Sequence, residues 1–144
     1  MFHIHSVTGR IAIGKSIGLV IGVVLMLFLP MFSIPILSMF GLGTLLMFGL
    51  MGVMTGFMGL FERHPVLQFN MKWWFRGGII GFAFMLMYIL FTYEIYEGIM
   101  QSSLISWTGL TSPFWALIDG TVIGMFMGFV ETKFAGEGKD LPLT

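Results

Sequence analysis

The chain contains no cysteine. That excludes disulfides, thiolate metal sites, iron–sulfur clusters and cysteine nucleophiles. Charge is nearly as scarce, at 10% of residues, where a soluble domain carries about 25%. With so little polar surface, a water-soluble enzyme, a nucleic-acid-binding domain and a disordered chain are all excluded. The seven basic and seven acidic residues cancel, so net charge points to no polyanionic partner. Histidine is also rare, and His3, His5 and His64 all fall outside the apolar stretches, so no haem can be held between spanning helices. No nucleophile–base pair, phosphate-cradling loop or dinucleotide fingerprint occurs. The expectation is therefore a protein that is not an enzyme and carries no cofactor.

What is present is apolar: 57% hydrophobic residues and a mean hydropathy of +0.96. The composition predicts an all-α integral membrane protein, a four-transmembrane-helix bundle forming one membrane domain over 1–144. Residues 16–61 hold no charge at all. Pro30 and Pro35, with Ser33 between them, split this run into spans over about 11–29 and 36–61. The second is long for a straight crossing, so it tilts or breaks near Gly41-Leu42-Gly43. Residues 62–76 read as a loop with an interfacial stretch, since Trp73 and Trp74 beside Lys72 and Arg76 suit the headgroup layer. A third span covers about 77–97 and a fourth 104–130. The fourth starts instead at Pro113 if Ser112 caps it. Residues 131–144 read as a solvated tail. Arg10 and Lys15 before the first span resemble the basic segment of a signal peptide, but no small-residue cleavage pattern follows, so the helix is read as retained.

Arg10, Lys15, Arg63, Lys72, Arg76, Lys133 and Lys139 all fall in the N-terminal segment, the second loop or the tail. Four crossings put those segments on one side. The positive-inside rule makes that side cytoplasmic, with both termini facing the cytoplasm of an inner (plasma) membrane. Trp107 and Trp115 then anchor the external face.

VMTGFMGLFE at 53–62 and VIGMFMGFVE at 122–131 match at several positions, and Gly18/Gly22 align with Gly77/Gly81. This pattern groups the spans into two tandem helical hairpins; chance agreement within a narrow alphabet is the alternative. Gly14, Gly18 and Gly22 are spaced by four, as are Gly120, Gly124 and Gly128. Gly77 and Gly81 make a pair, and Gly49, Gly52, Gly56 and Gly59 follow 3-4-3 spacing. Each set forms a helical stripe suited to close helix packing in lipid. So many packing faces suggest a homo-oligomer or docking with other membrane subunits. Met47, Met51, Met54 and Met58 form another stripe, which reads as packing. A Cu(I) path fed by His3 and His5 is the alternative.

Asp119 is the one charge well inside a predicted span, where an acid costs about 2.5–3.5 kcal/mol to insert. Glu94 and Glu97 lie at the outer end of the third span. One reading gathers Asp119, Glu94 and Glu97 into an acidic external vestibule of a small homo-oligomeric channel or carrier for a cation or proton. Its rival makes Asp119 a paired structural acid in a non-catalytic accessory subunit that packs through its glycine faces.

Overall fold

The computed structural model describes residues 4–64, 66, 68–138 and 140–143. Among them it is all-helical, and four helices are long and apolar enough to cross a membrane. These are α1 (Val7–Phe28), α2 (Met39–Met58), α3 (Trp73–Gln101) and α4 (Ala116–Ala135). The only β-type pairing among the described residues is an isolated bridge between Arg63 and Asn70.

Local chemistry sets the ends, and several differ from the expected boundaries. α1 starts at Val7 rather than 11 because Ser6 is extended and its Oγ accepts from the Gly9 N–H at 3.0 Å. It runs on through a 3-10 turn, Leu29–Phe32, and stops where Ser33 adopts a left-handed conformation. The expected break in the second span does not occur. Ser38 caps α2 through the Gly41 N–H at 3.1 Å, and the helix ends at Met58, a length that needs no kink. Trp73 and Trp74 open α3 instead of lying in a loop. α3 is 29 residues long and bends at Thr92 (φ −124°, ψ 26°). There the threonine Oγ1 donates to the Tyr88 carbonyl at 2.6 Å, a local back-bond that competes with the helix ladder. The fourth helix does not begin near 104. Ser112 caps a 3-10 turn, Pro113–Trp115, that leads into α4.

α1 packs along α2, and α3 along α4, each pair antiparallel. In the first pair a Cβ on Gly14 would strike the Gly52 carbonyl, and one on Gly52 the Gly14 carbonyl. Gly18 faces the Phe48 carbonyl, and added Cβ atoms on Gly22 and Gly56 would sit 2.9 Å from the Cα atoms of Leu45 and Ile11. In the second pair Gly77 and Gly124 meet reciprocally in the same way, Gly81 meets the Gly120 carbonyl, and Gly128 lies under the Trp73 carbonyl. Backbone-to-backbone approach of this kind is open only to residues without side chains.

Met47, Phe48 and Met51 of α2, Ile80, Met85 and Ile89 of α3, and Ala116 and Met127 of α4 form the buried core between the hairpins. The outer faces are just as apolar: Val20, Leu27, Leu46, Leu50, Leu90, Phe91, Ile118 and Val122 are all exposed.

The tail is not a free end. Glu131 lies one turn from the end of α4 and is fully buried. Beyond it the chain folds back over the start of α1. The Val7 N–H donates to the Pro142 carbonyl at 2.9 Å and the Thr8 N–H to the Leu143 carbonyl at 3.3 Å. These are first-turn donors that no helical carbonyl can reach, so the tail serves as a backbone cap. Lys139 lies outside the described residues.

Candidate functional site

Polar side chains gather at the two ends of the bundle. At one end, a cavity of about 460 Å³ opens where the C-terminal ends of α1 and α3 meet the N-terminal ends of α2 and α4. Its walls include Phe28, Phe32, Phe40 and Phe48, and its polar members are Thr44, Tyr96 and Asp119. Rings of Phe40, Tyr88 and Tyr96 stand against one another with centroids 5.6–6.0 Å apart. The Phe40 carbonyl accepts from the Thr44 hydroxyl at 2.9 Å and the Tyr88 hydroxyl at 2.8 Å, which fixes this wall.

Asp119 stands in the first turn of α4, not at mid-span. An acid there meets the positive end of the helix dipole, which lowers the cost of its charge. Asp119 is exposed and lines the cavity, and its carboxylate makes no ion pair or hydrogen bond among the described residues. The other two acids do not join it. Glu94 is exposed on a separate shallow depression beside Leu90 and Phe91. Glu97, half-buried on α3, does not line the Asp119 cavity.

The opposite end holds an ionic cluster that the composition did not suggest. Arg10 and Glu131 are 1% and 0% exposed, with Nη2 to Oε2 at 3.6 Å. The Arg10 Nε donates to the Gly56 carbonyl at 3.0 Å, Nη1 to the Gly136 carbonyl, and Nη2 to the Thr132 hydroxyl at 3.2 Å. Thus one guanidinium joins α1, α2, α4 and the tail. Neither carboxylate oxygen of Glu131 has a hydrogen-bond partner. Beside this pair Arg76, also buried, donates to the carbonyls of Phe61 (3.0 Å) and Met71 (2.7 Å) and pairs with Glu137. Gly59 packs against the Arg10 guanidinium, where any side chain would collide with it.

These charges were readable in one respect. Arg10 precedes Gly14, Gly18 and Gly22 at the same spacing of four, and Thr132 follows Gly120, Gly124 and Gly128 likewise, with Glu131 beside it. Helical periodicity places them on packing faces, and only their nearness to the chain ends made them look solvated.

Of the remaining candidates, His64 stacks on Phe69 with centroids 5.5 Å apart. Met47 and Met51 are buried in the core while Met54 is exposed, so the methionine stripe does not face one channel. His5 is exposed, and His3 lies outside the described residues. No group of three or more His, Cys, Asp or Glu able to hold a metal occurs among the described residues. Every glycine of the expected stripes is engaged within this chain; Gly49, the least enclosed, lies against the Leu19 side chain. Surplus glycine faces therefore give no argument for a partner.

No protein family, no curated protein and no solved structure matches this chain.

Proposed function

We propose that the chain is a small multi-pass carrier of the inner membrane that binds a cation at Asp119. The supporting observation is the unpaired Asp119 carboxylate facing a cavity of about 460 Å³ at the end of the bundle away from the lysines and arginines. A cation entering there meets one anion and no competing positive charge. Below the cavity the core closes on Met51 and Met127, each 0% exposed, and beyond that lies the Arg10–Glu131 pair. That arrangement favours a carrier closed at one end over a standing pore. The exposed apolar faces ask for lipid. The basic end then faces the cytoplasm with both termini, and Glu94 and Glu97 stand on the external approach. A second copy or another membrane subunit would contact the outer faces of the helices, not their glycines.

The closed core also favours a second reading, a non-catalytic accessory subunit whose tail and buried ion pair serve rigidity. Purified protein in liposomes separates the two. For a carrier, the wild type moves protons or small cations, and Asp119→Asn abolishes that flux while eluting from size exclusion like the wild type. Absence of any cation flux from the wild type leaves the accessory reading.

A further inference from the structure

We propose that the Asp119 cavity takes an organic monocation with an aromatic or alkyl body, and not a bare metal ion. The inference deepens the carrier reading and rests on it for Asp119 as the binding carboxylate. An inorganic cation stripped of water needs a dense shell of oxygens, about six to eight for calcium. This cavity offers the Asp119 carboxylate and the hydroxyls of Thr44 and Tyr96, all on different helices. That is at most four side-chain oxygens, fewer than such a shell needs. Among the described residues no three or more His, Cys, Asp or Glu come together in a group that could hold a metal.

An organic cation makes the opposite demand: one counter-charge and a wide apolar wall. The cavity supplies both. Its volume of about 460 Å³ lies within the roughly 300–1,000 Å³ of small-molecule sites. Phe28, Phe32, Phe40 and Phe48 line it, beside Leu25 and Ile123. Aromatic faces attract ammonium and phosphonium groups that shed their water easily, and the body of the ligand gains the apolar contact. No lysine, arginine or histidine lines the cavity, so an anion of the same shape finds no counter-charge and is repelled by Asp119.

The test uses the full chain in detergent and equilibrium dialysis against a protein-free micelle blank. The probes are tetraphenylphosphonium, the smaller benzyltrimethylammonium, and tetraphenylborate, which has the shape of the first and the opposite charge. The expected result is saturable binding of at least one cation, at least tenfold tighter than tetraphenylborate. Asp119→Asn weakens it tenfold or more, and Asp119→Glu retains it, with both variants eluting like the wild type. No binding of either cation, equal binding of the borate, or full binding by Asp119→Asn overturns the proposal. Because choline headgroups share this chemistry, the measurement is repeated in nanodiscs. Loss of binding in phosphatidylcholine but not in phosphatidylglycerol assigns the cavity to lipid and also overturns it. Flux of protons or metal ions without organic-cation binding sinks this inference and leaves the carrier reading standing. Asp119-dependent binding without any flux does the reverse.

Discussion

At Gly98 a methyl group would meet nothing within 4 Å, whereas at Gly52 and Gly124 it would collide with the carbonyl of a facing glycine. All three are helical, so they share the same intrinsic preference for alanine, worth about 0.5–1 kcal/mol. Only the facing backbone differs. Gly98→Ala is expected to leave stability unchanged or raise it by up to about 1 kcal/mol. Gly52→Ala and Gly124→Ala are each expected to lower it by about 1–3 kcal/mol, the usual range for overpacking, by forcing the paired helices apart. Melting temperatures of the three variants in one detergent decide the matter, and equal shifts at all three positions would defeat the packing account. At this scale the sequence set Gly52 and Gly124 on helical stripes of small residues. It could not say which carbonyl each one faces. That depends on the stagger of two helices, which is set by loops whose lengths carry no periodic signal.

Between elements, the tie is Arg10. Most membrane helices associate through shape, with no hydrophobic drive between them. Here a buried guanidinium adds directional bonds from α1 to α2, to α4 and to the returning tail. Breaking a buried ion pair by removing one partner costs about 3–5 kcal/mol, while replacing both with apolar groups is often far milder. Arg10→Met should therefore destabilise the bundle strongly, because it leaves the Glu131 carboxylate buried without even its ion-pair neighbour. Adding Glu131→Leu should recover part of the loss, though the Gly56 and Gly136 carbonyls stay unpaired. A double-mutant cycle by denaturant unfolding in micelles should give a coupling of about 1.5 kcal/mol or more. Strict additivity would mean that the two charges do not interact. None of this was expected from a tail read as solvated. Charge near a chain end is normally wet, and what reverses the rule is the tail folding back to cap Val7 and Thr8, a long-range contact that no local pattern encodes. The same reasoning explains Asp119. Its isolation among apolar residues was legible, but its depth was not, since that turned on whether the helix began near 104 or at Pro113.

For the molecule as a whole, both polar ends follow from one arrangement, two antiparallel glycine-paired hairpins lying side by side. Such a bundle puts the start of α1, the end of α2, the start of α3 and the end of α4 together. The basic residues then cluster at one end and the Asp119 cavity opens at the other. Whether this axis lies across a bilayer is a question of topology, and the lack of native cysteine makes it easy to ask. Val66 in the loop between α2 and α3 and Trp107 in the loop between α3 and α4 are 78% and 81% exposed, so a cysteine at either position disturbs no core contact. In intact cells, Trp107→Cys should react with a membrane-impermeant maleimide, and Val66→Cys should react only after the membrane is permeabilised. Each substitution is its own control for folding, because both should label fully in detergent. Labelling of both from outside would place the two loops on one face and remove the four-crossing arrangement. Labelling of Val66→Cys alone would keep the crossings, invert them, and turn the Asp119 cavity toward the cytoplasm.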